Sequence, residues 1–339
     1  MLNYIIKTAL VVGLGSIGRR HIKVVKKLFP KVKIIVLRHK HCNEVDIHEL
    51  NIYKCVTSID EAIALTPQVA IVANPATKHI EVAKKLAINN IHLLIEKPIS
   101  NSSKDAQELI DICHENNTLL ITAYNLRFLP SLIEFKRLLQ NEIIGNLYSI
   151  RLEVGQYLPS WRPEIDYTKS VSAKKSLGGG VLLELSHEID YLMWIFGSVN
   201  WVKSDVSKLS NLDVDVEDSA SIILGLDGNN GTKLVASLNM DFIRHDSTRR
   251  CVVIGEKGTL SWDGISGKVS HFSQSNNNWE VLYSLSVDSD FSYIEEIKSF
   301  FSSVENNSLP NTYEDSGMLV VKVIEAIKTS DTTGSIVYV

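Results

Sequence analysis

Five short apolar runs, set apart by amphipathic stretches, organise the first third of the chain. Ala9–Val12, Val32–Leu37, Ala70–Ala73, Ile91–Ile95 and Leu119–Thr122 are near-continuous blocks of aliphatic residues, the pattern of strands buried on both faces. Helical periodicity fills the gaps: from about Ser16, from His79 through Leu86, and from Ser103 to Asn116. Strand and helix alternating through short turns predicts a doubly wound parallel sheet. Ligands of such sheets lie beyond the carboxyl ends of the strands. Gly13–Gly18, Asn74-Pro75 and the tripeptide after Ile95 therefore fall on one rim.

The pattern changes after about Tyr124. A helix over Leu132–Gln140 ends at Gly145, and long strands follow at Leu147–Gly155, Val216–Leu226, Lys233–Phe242 and Arg250–Ile254. Asp227-Gly228-Asn229-Asn230-Gly231 reads as a hairpin turn. A single central helix, led by Gly178-Gly179-Gly180 and running to Phe196, predicts a largely antiparallel sheet with helices on one face. The last helix, near Asp315 to Thr329, shows Leu319, Val323, Ile324 and Ile327 as its apolar stripe. Two domains are expected, 1–123 and 124–339, since 339 residues exceed one ordinary core.

Composition narrows the partners. With 45% hydrophobic and 22% charged residues the chain reads as globular, and a net charge of −4 gives no reason to expect nucleic acid. No apolar stretch has bilayer length, and the first apolar run leads into glycines rather than a cleavage site, so neither membrane nor export is expected. Cys42, Cys55, Cys113 and Cys251 lack paired spacing and are expected as free thiols of a cytoplasmic protein. His39-Lys40-His41-Cys42 has no second cluster to complete a metal site, so no metal is expected.

The chemistry begins at Gly13-Leu14-Gly15-Ser16-Ile17-Gly18, directly after a strand and opening a helix. The first glycine permits the tight turn, the second the approach of a pyrophosphate, and the third close helix–strand packing; Ser16 and Ile17 begin the helix whose N-terminus faces the phosphates. A bound nicotinamide dinucleotide is expected. The second strand then runs into Leu37-Arg38-His39-Lys40-His41, with no acid before Glu44 to hold the ribose hydroxyls. A guanidinium there grips a 2′-phosphate, so Arg38 favours NADP(H), with NAD(H) possible; the alternative is a solvated basic loop.

Two more constellations stand out. Glu96-Lys97-Pro98 leaves a strand on the cofactor rim, where a lysine can hydrogen-bond a hydroxyl and serve in proton transfer while Glu96 orients a partner. On the glycine-led helix, Leu182, Leu185, Ile189, Leu192, Met193 and Phe196 share one face, opposite Glu184, His187, Glu188 and Tyr191. That polar face reads either as solvated or as holding a general base, His187, between carboxylates. Upstream, Tyr157, Trp161 and Arg162 precede this helix and suit a sugar face and an anionic group, or else serve packing.

Taken in order, Gly13–Gly18, Asn74-Pro75…His79, Glu96-Lys97-Pro98, Arg127-Phe128, Gly178-Gly179-Gly180…His187…Asp190, Val216-Glu217-Asp218 and Ile254–Thr259 resemble the glucose–fructose oxidoreductase / inositol dehydrogenase / MocA family along essentially the whole chain. The resemblance implies an α/β protein: an N-terminal Rossmann domain plus a C-terminal α+β domain whose large, mostly antiparallel open sheet often makes homodimer or homotetramer contacts. It implies NAD(P)-dependent oxidation or reduction at a hydroxyl or keto carbon of a sugar, with Lys97 and His187 catalytic. Asn74, Pro75, His79 and Glu96 join the cofactor set, and Arg127 and Asp190 the substrate set. One departure is notable: the family's usual Asp stands four residues before the histidine, where this chain has Leu183, and Glu184 at three residues can take its place. An anionic or nucleotide-activated sugar of surface-glycan synthesis is the expected substrate. The reading from another class is a dinucleotide-binding regulatory or interaction protein without turnover.

Overall fold

The structure is a computed structural model that describes residues 6–39, 42–227, 233–308 and 315–339. It divides into two units, Met1–Asn125 with Asp290–Val321, and Leu126–Ser289 with Lys322–Val339. The expected boundary at 123/124 falls two residues short, and the expected second domain loses Asp290–Val321 to the first unit. The cause is the apolar face of a late helix, described next, which sequence order alone does not assign.

In the first unit, β1 (Thr8–Val12), β2 (Lys33–Leu37), β3 (Lys54–Val56), β4 (Val69–Val72), β5 (His92–Glu96) and β6 (Leu120–Ala123) form one sheet in the order β3-β2-β1-β4-β5-β6, all parallel. The crossovers are α1 (Ser16–Leu28), α2 (Glu44–Glu49), α3 (Ile59–Ala64), α4 (His79–Ile88) and α5 (Ser103–Glu115). Leu10, Ile35, Ala70 and Leu93 face one side of the sheet, packing with Ala83, Leu86 and Leu109 of the helices. Val11, Ile34, Ile71 and Leu94 face the other, against Ile22 and Val25 of α1. Ile297, Phe300 and Phe301 of α9 (Phe291–Asn306) complete that second layer, which is why the late helix belongs to this unit. The strand reversal at β1/β4 is the position where such sheets bind ligands.

The second unit holds β7 (Leu147–Gly155), β8 (Val199–Ser207), β9 (Ser219–Asp227), β10 (Lys233–Asp241), β11 (Thr248–Gly255), β12 (Gly258–Asp263), β13 (Lys268–Ser273), β14 (Asn278–Ser284) and β15 (Val337–Tyr338). Their order is β14-β13-β12-β11-β7-β10-β9-β8-β15, antiparallel throughout except for the β7–β10 pair. Strict alternation of buried and open positions along β10 shows one covered face. α6 (Pro130–Gln140) lies on that covered face, where Ser131 Oγ accepts the indole N–H of the buried Trp262 at 3.0 Å. The predicted turn at 228–231 lies outside the described residues, while Asp227 and Lys233 pair across β9 and β10.

Two local expectations change. In α10 (Ser316–Thr333), Val320, Val323, Ile324 and Ile327 are buried but Leu319 is 37% exposed, so the inward stripe is rotated by about one position. Cys42 and Cys55 form a disulfide, their Cα atoms 6.0 Å apart, where free thiols were expected. Cys55 lies on β3 beside Val36 of β2, and Cys42 in the stretch between β2 and α2, two positions whose spacing in sequence is uninformative. Cys113 and Cys251 are buried and take no part in a disulfide.

Candidate active site

The rim of the first unit is built on glycines. Gly13 takes φ +95°, and a Cβ there would meet the Ala73 carbonyl oxygen at 2.8 Å. A Cβ on Gly18 would overlap the Gly13 carbonyl oxygen, so only glycine lets α1 start this close to β1. Gly15 differs: nothing lies within 4 Å of where its Cβ would be, and no side chain caps the helix it begins. Open space over an uncapped helix N-terminus is what an approaching pyrophosphate needs, so the residues present fit a dinucleotide.

At the end of β2, Arg38 has a side chain 24% exposed and ion-pairs with Asp46 at 3.6 Å. Asp46, on α2 and nearly buried, also receives Arg19 Nη2 at 2.6 Å. An acid thus does reach this corner, from nine residues past the strand, and is shared by two guanidiniums. It was not singled out in the sequence because it comes from a helix and not the strand end. His39 begins the basic run, and residues 40 and 41 lie outside the described residues.

Asn74, Pro75 and Glu96-Lys97-Pro98 follow β4 and β5, whose parallel register places them on the same edge of the sheet. Glu96 Oε1 accepts from Nε2 of His21, a fully buried residue of α1, at 2.7 Å. Its Oε2 accepts the Lys97 backbone N–H at 3.3 Å. Lys97 itself is half-buried, and its bond to Pro98 is cis. His79 is 1% exposed, with Nδ1 3.0 Å from the Pro98 carbonyl oxygen and Nε2 2.7 Å from that of Asn74. Burial lowers its pKa against the pull of those carbonyls and of Glu96. So closed in, the ring of His79 holds the turn after β5 beside the loop after β4. His21 was missed; its mark in the sequence is a histidine on the otherwise aliphatic inner stripe of α1, beside Ile22 and Val25.

In the second unit the glycine-led helix is two helices, α7 (Val181–Glu184) and α8 (His187–Phe196), with Leu185 and Ser186 between them. Gly180 takes φ +108°, and the Glu217 carboxylate stands where its Cβ would project, accepting the Leu182 N–H at 3.3 Å. That helix start is therefore filled from within the chain. The polar face is split: Glu188 and Tyr191 are fully buried, as is the neighbouring Asp190. Arg249 Nε donates to Glu188 Oε1 at 2.7 Å. Arg127 grips Asp190 with Nε at 2.9 Å and Nη2 at 2.6 Å, the two side chains 3% and 1% exposed. Arg127 and Asp190, which the resemblance puts in the substrate set, pair with each other in the interior of this unit. Only Glu184 and His187 of the face remain half-exposed.

A cleft beside them is lined by Leu158, Trp161, Arg162, Ile165, Tyr167, Ser170 and Ser172. Ser172 Oγ donates to Glu184 Oε2 at 2.9 Å, so this cleft ends on the carboxylate three residues before His187. Trp161 and Arg162 are thus gathered as expected of one segment, although Trp161 also packs edge-on against Phe242, with centroids 5.2 Å apart. Tyr157 is elsewhere, tilted on His245 at 4.2 Å. Among the described residues no group of three or more His, Cys, Asp or Glu could hold a metal ion, and no helix is long and apolar enough to cross a membrane.

These features define an oxidoreductase class built on an NAD-binding Rossmann fold, and residues 7–124 match the family model of that description. Residues 132–261 match the Gfo/Idh/MocA C-terminal domain, and the chain belongs to the Gfo/Idh/MocA family. The chain is 24% identical to myo-inositol 2-dehydrogenase of Thermotoga maritima over 94% of its own length and 95% of the relative's. A match to an uncharacterised oxidoreductase of Synechocystis sp. spans 57% of this chain and 54% of that protein, at 28% identity. By fold, the chain is similar to a levoglucosan dehydrogenase in complex with NADH, with TM-score 0.84, 18% identity and 98% of each chain covered. A Bordetella pertussis dehydrogenase, WlbA, bound to NADH and UDP-GlcNAcA, gives TM-score 0.81 at 19% identity, again over 98% of each chain.

Proposed function

We propose that this protein transfers a hydride between a nicotinamide dinucleotide and a hydroxyl or keto carbon of a sugar derivative, with an anionic or nucleotide-activated sugar as substrate. One observation carries the reading: of the polar residues on α7 and α8, burial leaves only the Glu184–His187 pair within reach of solvent. When bound, the nicotinamide supplies the acceptor or donor of the hydride. Lys97 hydrogen-bonds the reacting oxygen. In the oxidation, His187 takes the hydroxyl proton as the hydride leaves the same carbon, and in the reduction it returns that proton to the oxygen. Glu184, held by Ser172, takes the place of the usual Asp and stabilises the protonated imidazole. Arg162 and Trp161 bind the anionic and apolar parts of the substrate.

Turnover is read by absorbance at 340 nm across a panel of sugars, sugar acids and nucleotide sugars. Lys97→Ala and His187→Asn each lower kcat by about 10²-fold or more while NADH affinity stays within threefold. Full activity in either variant overturns the roles of Lys97 and His187.

NADP(H) is the preferred cofactor in this reading, because Asp46 is neutralised by Arg19 and Arg38 and no acid stands at the strand end itself. Arg38→Ala weakens NADP⁺ more than NAD⁺, by about tenfold in the ratio of affinities; an equal shift overturns the preference. The outer face of the second sheet, where Ile223 and Val235 are 46% and 40% exposed, joins copies into a dimer or tetramer, a state that sedimentation reads directly.

A further inference from the structure

Lys97 sits in a turn fixed on both sides by histidines that never reach the surface. On one side His21 is fully buried on α1, and its Nε2–H donates to Glu96 Oε1 at 2.7 Å. An ionised carboxylate only accepts, which makes Nε2 the donor. The other oxygen of Glu96 accepts the Lys97 backbone N–H at 3.3 Å. On the far side His79, 1% exposed, has Nδ1 3.0 Å from the carbonyl oxygen of Pro98 and Nε2 2.7 Å from that of Asn74. Both of these acceptors lack a proton, so a neutral ring donates to one at a time and a protonated ring to both. The connection runs α1, His21, Glu96, Lys97, Pro98, His79, Asn74, entirely within the first unit.

We propose that His21 and His79 are positioning residues for Lys97: they lock the two residues flanking it to the phosphate-facing helix and to the Asn74-Pro75 turn. Aliphatic packing would bury α1 and α4 equally well without any imidazole. What the imidazoles add is direction: His21 donates to Glu96 on one side of the turn, and on the other His79, wedged between two carbonyl oxygens, donates to that of Pro98 or of Asn74. The inference rests on the role of Lys97 proposed above, but the position of Lys97 can be read without turnover.

The test uses the full-length protein and three measurements. The first is the rate at which an amine-acylating reagent modifies Lys97, followed by peptide mass mapping, with and without NADH. The second is NADH affinity by fluorescence, and the third is the split between kcat and KM once a substrate is found. His21→Leu and His79→Leu are expected to change the Lys97 acylation rate by about threefold or more and to lower kcat by about 10²-fold, since a small misplacement has that effect on rate. KM is expected to move far less. His21→Gln keeps an N–H donor and is expected to restore acylation to within about twofold of wild type. Should His21→Leu fail to fold, Glu96→Ala reads the same link from its solvent edge. Wild-type acylation rates and kcat in both leucine variants overturn the proposal, as does a glutamine variant no better than leucine. If Lys97→Ala keeps full turnover, the catalytic reading fails, while the acylation measurement still decides whether the histidines position the lysine.

Discussion

Gly15→Ala separates the fold from the site. The methyl group it adds has open space, with no atom within 4 Å, and the residue's φ of −76° suits any amino acid. Exchanging glycine for alanine at a helix N-cap costs about 1 kcal/mol or less. The stiffer unfolded chain returns about 0.4–1 kcal/mol of that. Net stability is therefore expected within about 1 kcal/mol of wild type. The added methyl fills the volume over the free N–H groups of α1, and losing one charge-assisted hydrogen bond there costs about 1.5–3 kcal/mol. At about 1.4 kcal/mol per decade, NADH affinity falls by roughly 10- to 150-fold. Gly18→Ala is the contrasting control: its methyl overlaps the Gly13 carbonyl oxygen, a backbone atom that cannot swing away, and overpacking of this kind costs about 1–3 kcal/mol. Fluorescence titration with NADH and urea unfolding are run on both variants. Unchanged NADH affinity in Gly15→Ala, with the protein folded, refutes the placement of the pyrophosphate over this residue.

Arg127→Ala strands the Asp190 carboxylate in the interior and is expected to cost about 3–5 kcal/mol, whereas Arg127→Met with Asp190→Leu is expected to restore most of it. Urea unfolding of both variants checks this, and a double variant as unstable as the single one counts against the pairing. Asp190 also predicts a pH effect, since burial, opposed by Arg127, raises its pKa from the ordinary 3.8 to about 6. Between about pH 6 and pH 4 the folded protein binds a proton there that the unfolded chain does not. The group thus adds stability as the pH falls, by at most about 1.4 kcal/mol per pH unit, and loses it as the pH rises through 6. A wild-type stability advantage over Asp190→Asn that stays flat from pH 7 to pH 4 contradicts this.

The parallel sheet was legible because strands buried on both faces must be aliphatic throughout, and Leu10, Ile35, Ile71 and Leu94 say so without help from neighbours. The glycines of the rim were legible for a similar reason, each answering a local steric demand. The interior charges were not. Glu188 and Tyr191 occupy positions that helical periodicity assigns to the polar face, and Glu188 and Asp190 are buried against Arg249 and Arg127, each about sixty residues away. Asp46 and His21 escaped notice likewise, since their partners, Arg19 with Arg38 and Glu96, come from other elements. Cys42, before α2, and Cys55, on β3, form a disulfide that leaves no trace in their spacing. The segment 291–306, not marked as a helix in the sequence, folds as α9 against the first unit's sheet through Ile297, Phe300 and Phe301.

The one parallel pair in the second sheet, β7 with β10, has a consequence for how this chain can change. β7 leaves the ladder at Gly155, and the next strand in the chain, β8, rejoins three places along, beyond β10 and β9. The excursion between those two strands holds Trp161, Arg162, Ser172, Glu184 and His187, and packs back on the sheet through Trp161 on Phe242 and Glu188 on Arg249. Residues at its tip can be exchanged without shifting the register of any strand. The ladder and the segment carrying Glu184 and His187 thus sit on separate stretches of chain, so side chains of that segment vary without changing strand order.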